Sequence, residues 1–217
     1  MIFPSFLRAC ALGILVGTAV QAFADNHLLI PAGDRWRYLA DGTLPNSDWL
    51  DPAYRALEWP AGYAGTSFVE GAEDPDGIDP TPAVSEATTA YFHKVFTCAD
   101  PKKYTLLQLR LRRSDGAVVY LNGEEIARSN MPAGKVEFHT AAAAPTLGRD
   151  AGAFQNFRVP AHALRRGRNA MAVEVHRAVD AKSRRSFDLE LQASTDSRPV
   201  FITRGPYLQN ATPEAIT

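Results

Sequence analysis

From Ala90 onward, apolar and polar side chains alternate with a period of two, the spacing that puts neighbours on opposite faces of a strand. Leu107, Leu109 and Leu111 share one face, and Gln108, Arg110 and Arg112 share the other. Met171, Val173 and Val175 oppose Ala172, Glu174 and His176, while Phe187, Leu189 and Leu191 oppose Asp188, Glu190 and Gln192. Each pattern predicts a strand with one buried and one solvated face. Turn chemistry punctuates them: Asp115-Gly116 precedes the strand at Val118–Leu121, and Asn122-Gly123 leads into Glu125–Arg128. Asn-Gly is the strongest short hairpin signal, because both residues tolerate the positive φ of a type I′ turn. Arg165 to Asn169 predicts a further connection, from Val159–Leu164 into a strand starting at Ala170. Beyond residue 24 no run with helical period exceeds two turns, so the expected fold is all-β, an antiparallel β-sandwich.

The N-terminus reads as an address rather than as structure. Arg8, the apolar run from Ala9 to Val20 and then Ala22-Phe23-Ala24 have the anatomy of a secretory signal peptide over residues 1–24, cut between Ala24 and Asp25. The run is short for a transmembrane helix, so no membrane span is expected after cleavage and the chain is expected to be secreted or periplasmic. Of the two cysteines only Cys98 would remain, which leaves no internal disulfide and predicts a small buried hydrophobe at that position. Whether it is free or paired between chains stays open.

Between residues 61 and 89 the composition shifts to Gly, Pro, Asp, Glu, Ser and Thr, which predicts a long loop. Within it Asp74, Asp76 and Asp79, with Glu70 and Glu73, supply hard oxygen ligands for a calcium ion, although Pro75 and Pro80 break the spacing of a recognised calcium loop. A solvated acidic loop is the plainer reading. Residues 194–200 form a polar linker, and 201–217 hold one short strand pattern, the expected start of a second unit.

Composition narrows the function. With 217 residues, 46% hydrophobic, and 23 basic against 24 acidic groups, the chain is neither disordered nor equipped with the cationic excess that nucleic acid requires. The five histidines, at 27, 93, 139, 162 and 176, are scattered singly. Trp36, Trp49 and Trp59 could form an aromatic platform for a sugar ring or could seal a core. Arg110 and Arg112 are candidate ligand contacts, although cross-strand pairing with Asp188 and Glu190 would equally account for them. Basic clusters at Arg112-Arg113, Arg165-Arg166-Arg168 and residues 182–185 lie at or near predicted turns, where a phosphate or an acidic polysaccharide could dock.

Two resemblances extend this reading. Asp34-Arg-Trp-Arg-Tyr-Leu-Ala-Asp-Gly42 with Trp49 and Trp59, then Ala90–Thr97, Leu109–Gly123, Asn169–His176 and Ser186–Leu191, together resemble a galactose-binding-like jelly roll over about residues 30 to 194. Arg204-Gly-Pro-Tyr-Leu-Gln-Asn-Ala-Thr-Pro-Glu-Ala-Ile-Thr217 is similar to the first strand of the fibronectin-type N-terminal domain of purple acid phosphatase-like metallophosphoesterases. The resemblances imply a signal peptide (1–24), a sandwich (25–193), a linker (194–200) and the start of a phosphatase N-terminal domain (201–217). That family holds a dinuclear metal site through Asp-x-His, Gly-Asp-x-x-Tyr and Gly-Asn-His motifs, a set this sequence does not contain. The chain as given is therefore expected to be non-catalytic and free of cofactors, apart from the candidate calcium. Its expected function is an accessory module, binding carbohydrate or a cell-surface polymer or acting as a spacer, with a metal-dependent phosphoesterase domain downstream in cis. The alternatives are a stand-alone exported adhesion or assembly module and a small secreted hydrolase using Asp188 and Glu190.

Overall fold

The alternating segments become strands wherever one side chain in two can be buried. A computed structural model describes residues 26–65, 87–147, 150, 152–181 and 186–195. Among these the strands are β1 (Asn26–Ile30), β2 (Arg35–Leu39), β3 (Ala61–Tyr63), β4 (Thr89–Cys98) and β5 (Leu106–Arg113), followed by β6 (Gly116–Leu121), β7 (Glu124–Ser129), β8 (Gln155–Pro160), β9 (Gly167–His176) and β10 (Phe187–Ser194). They form a four-stranded sheet, β1-β10-β5-β8, and a six-stranded sheet, β3-β2-β4-β9-β6-β7. Every strand pairing within them is antiparallel. The fold is an all-β antiparallel sandwich, and among the described residues helical structure is confined to short 3₁₀ turns such as Pro101–Lys103 and Ala161–Ala163. No helix among the described residues is long and apolar enough to cross a membrane.

The main core lies between the sheets. Leu107, Leu109 and Leu111 of β5 and Phe187, Leu189 and Leu191 of β10 meet Trp36, Phe92, Val119 and Val173 from the opposite sheet. Phe92 stacks on Phe187 with centroids 4.2 Å apart, and Trp36 meets Phe187 edge-on at 5.0 Å. The alternate residues of β5 and β10 point outward, where register places Arg112 opposite Asp188 and Arg110 opposite Glu190. Cys98 is buried in the main core, and burial pushes its thiol pKa up.

Two connections differ in kind. Asn122 and Gly123 join β6 to β7 with φ of 54° and 87°, the positive values of a I′ hairpin. The Asn122 side chain is buried: its amide donates to the Ala163 carbonyl and to Asn169 Oδ1, both at 2.8 Å, and its oxygen accepts from the Ala170 N–H. The turn between β5 and β6 does not make a hairpin, since those strands belong to different sheets. Asp115 takes φ 59° there, and its carboxylate accepts from the backbone N–H groups of Thr146 and Ala178. That corner is fixed by buried polar bonds.

Strand β9 departs from the half-buried expectation. It begins at Gly167, three residues before Ala170, because Gly167 and Arg168 extend the ladder opposite Cys98 and Thr97 of β4. From Asn169 to His176 it is buried on both faces, which requires a cover over the outer face of its sheet.

Replacing Asn122 with Ala removes three buried hydrogen bonds and places a Cβ-bearing residue without local hydrogen bonding in the left-handed region. The expected loss is about 2–4 kcal/mol, read as a lower urea midpoint with an unchanged m-value. A loss below about 0.5 kcal/mol would show that the Asn122–Asn169 pair does not hold this end of the sandwich.

Candidate functional site

The outer face of the six-stranded sheet carries Tyr91 and Ala172, side chains too apolar to leave in water. Trp49, Ala56 and Trp59 cover them, with Leu39, Leu50, Tyr54, Tyr120 and Phe138 packed around the edge as a second core. Trp49 meets Tyr91 and Tyr120 edge-on at 5.0 and 5.9 Å. The covering segment, residues 46–60, is a chain of tight turns, with the N–H groups of Trp49, Tyr54 and Trp59 bonded to the carbonyls of Asn46, Asp51 and Ala56. Two outward-facing arginines tie it to the sheet. Arg37 of β2 donates to the Trp59 carbonyl at 2.7 Å, and Arg168 of β9 donates to the carbonyls of Ala53 and Tyr54 at 3.0 and 2.6 Å.

Where the cover stops, a groove of about 550 Å³ opens over β2, β4 and β9. Its cationic wall is Arg35, Arg37, Arg55, Arg168 and Lys94, and no carboxylate lines it among the described residues. Lys94 forms an ion pair with Asp34 at 2.8 Å, whereas none of the four arginines has an ion-pair partner among the described residues. Leu57, Val95 and Ala61 supply an apolar strip. Arg55 and Leu57 flank Ala56, which sits at φ 48°, so a strained turn places them on the rim.

His93 lines this groove, 1% exposed, with neither ring nitrogen hydrogen-bonded among the described residues. Its ring meets Tyr54 and Trp59 edge-on at 5.5 and 6.5 Å. Burial, reinforced by the Arg168 charge, pushes its pKa down to about 4, so the imidazole is neutral at pH 7.

The sequence-predicted candidates fall in several places. Trp36 is in the main core, and Trp49 and Trp59 are in the second, with exposures of 1%, 9% and 7%. Their rings are packed against protein, although Trp36 also borders the groove. Arg110 pairs with Glu190 at 3.0 Å and Arg112 with Asp188 at 3.9 Å, and both guanidinium groups lie over Phe154. Asp188 also accepts from the Gly33 N–H, so the two carboxylates of the hydrolase alternative are engaged in structure. Arg113 is buried on Ser129 and Thr146, Arg165 and Arg166 are exposed, and among the described residues of these clusters only Arg168 enters the groove. Glu174 and His176 are buried together, with Tyr120 donating to Glu174 at 2.7 Å. No group of three or more potential metal ligands occurs among the described residues. Ala24 and Asp25, the calcium candidates Asp74, Asp76 and Asp79, residues 182–185 and the tail 201–217 lie outside the described residues.

The groove was within reach of the sequence through one signal. In Arg35-Trp36-Arg37 a buried tryptophan forces both arginines to the outer face. What hid the site was Arg168, expected in a turn and found in β9, together with a covering segment that has no periodicity.

No family model matches the chain, and no curated protein does. Among solved structures it is similar to a β-glucuronidase from an uncultured Clostridium species, at 16% identity and a TM-score of 0.48 over 79% of this chain and 29% of that one. The Bacteroides uniformis β-glucuronidase gives 16% and 0.48 over 79% and 18%. A β-glycosidase from Bacteroides vulgatus gives 14% and 0.48 over 77% and 20%. The chain thus spans less than a third of these proteins' length, and at such identities and scores the likeness says nothing of activity, substrate or partner.

The depressed His93 pKa has a defined consequence. Between the unfolded value of 6.5 and the folded value near 4, the unfolded chain binds the extra proton, so stability falls as pH falls through that window. Going from pH 7 to 4.5 is expected to cost about 2 kcal/mol through this group. His93→Phe keeps a ring against Tyr54 and Trp59 and should lack that component in urea titrations at the two pH values. Identical pH dependence in both proteins would contradict the assignment.

Proposed function

We propose that this chain is a non-catalytic accessory module of an exported protein, which holds a carbohydrate or surface polymer and keeps its neighbours close to it. The observation that carries the reading is the groove itself. It is a preformed recess of the size used by small-molecule sites, roughly 300–1,000 Å³, on a rigid sheet, with fixed donors and an apolar strip. The described residues lining it include no carboxylate, serine or cysteine, and its Lys94 is held in an ion pair with Asp34. Arginine, histidine and aliphatic side chains can bind and orient a ligand without cleaving it.

On this reading the neighbour in cis is a catalytic domain, and the resemblance of residues 204–217 to the start of a phosphatase N-terminal domain supports a metal-dependent phosphoesterase. A tether of this kind raises the local concentration of the catalytic domain at its substrate, with no new contact between the two units. The signal-like residues 1–24 support an exported location. A stand-alone adhesion or assembly module would use the same groove.

The test is retention on immobilised glycans, neutral and acidic, by the full chain and by a double substitution at exposed rim positions, Arg55→Glu with Leu57→Asp. The expected result is retention by the parent chain and a loss of roughly tenfold or more in affinity in the variant, with an unchanged melting temperature. Equal retention of both proteins would place binding elsewhere, and no retention of either would leave a spacer in its place.

A further inference from the structure

We infer that the groove over β2, β4 and β9 is a site for an acidic saccharide, whose anionic group meets the arginines and whose hydroxyls meet His93. The inference rests on the binding-module reading and gives that site a ligand class.

Charge comes first. Arg35, Arg37, Arg55 and Arg168 line one recess with no carboxylate in it among the described residues, in a chain whose formal net charge is −1. Such local excess in a balanced chain is costly by self-repulsion, and a bound anion relieves it. Guanidinium groups grip carboxylates and sulfates with two parallel hydrogen bonds. Arg37 and Arg168 are already held by the carbonyls of Trp59, Ala53 and Tyr54, so they lose little freedom when a ligand arrives.

His93 narrows the ligand. A buried ring whose two nitrogens have no partner among the described residues is costly to leave so, and His93 is one of the residues that line the groove. The neutral ring offers one donor and one acceptor. A sugar hydroxyl both donates and accepts, so it answers either nitrogen, whereas a fully ionised inorganic anion only accepts. Leu57, Val95 and Ala61 then supply the apolar strip on which the C–H face of a sugar ring can rest, which a bare anion does not need.

The experiment is calorimetric titration of the full chain at pH 7 and low salt with trigalacturonate, a hyaluronan tetrasaccharide and a heparin tetrasaccharide, beside neutral galactotriose, inorganic phosphate and sulfate. Saturable binding of at least one acidic oligosaccharide is expected, roughly tenfold or more tighter than galactotriose and weakened by salt. The double variant Arg35→Gln, Arg55→Gln should lose roughly tenfold or more. His93→Phe should lose as much, and His93→Gln, which restores a donor and an acceptor, should recover part of it. Unchanged affinity in the arginine variant, or displacement by phosphate or sulfate at equal concentration, would overturn the proposal. Binding of galactotriose alone, indifferent to these substitutions, would overturn the acidic-saccharide site and leave the module reading standing. Absence of binding to every glycan would overturn both.

Discussion

The structure depends on covering one sheet face that cannot be left in water. The four-stranded sheet solves its outer face by charge, with Arg110 against Glu190 and Arg112 against Asp188. The six-stranded sheet does not, because its outer face presents Tyr91, His93, Ala172 and Tyr120. Burying a tryptophan against such a face is worth on the order of a few kcal/mol, and residues 46–60 bring two. That gain adds to the backbone bonds of its turns against the entropy of ordering an irregular segment.

The groove follows from how the cover is attached. Arg37 and Arg168 project from the outer face on either side of β4 and are satisfied by carbonyls of the segment, so they act as pins. Carbonyls satisfy their hydrogen bonds without neutralising their charge. The same two residues therefore anchor the cover and leave a positive recess at its edge, where Arg35 and Arg55 add to it. His93, beneath, is desolvated by the rings that make the cover stable. The attachment of the cover and the shape of the groove share these residues.

Much of the sandwich was readable from alternation. Leu107–Leu111 and Phe187–Leu191 face the core as their period demands, and Asn122-Gly123 makes the predicted turn. Other features were not readable, for identifiable reasons. Asp115-Gly116 has the composition of a hairpin but serves as a corner between sheets, since its partners Thr146 and Ala178 are distant in sequence. Strand β9 shows polar Glu174 and His176 on one face, which reads as solvated until Tyr120, Thr89 and the Thr140 carbonyl are brought to them. The covering segment has no period, and its order comes from tertiary contact. Since the groove is the edge of that contact, the candidate site was legible only as the Arg-Trp-Arg triplet of β2.

Amide hydrogen exchange across residues 46–60 tests the central claim most directly. If the segment is the structural cover, the amides of Trp49, Tyr54 and Trp59, each bonded within its own turn, will exchange slowly, with protection approaching that of β4. Exchange of those amides at the rate of a solvated loop, while β4 stays protected, would mean that the second core does not hold the segment down and that the groove it bounds is not a fixed feature of the protein.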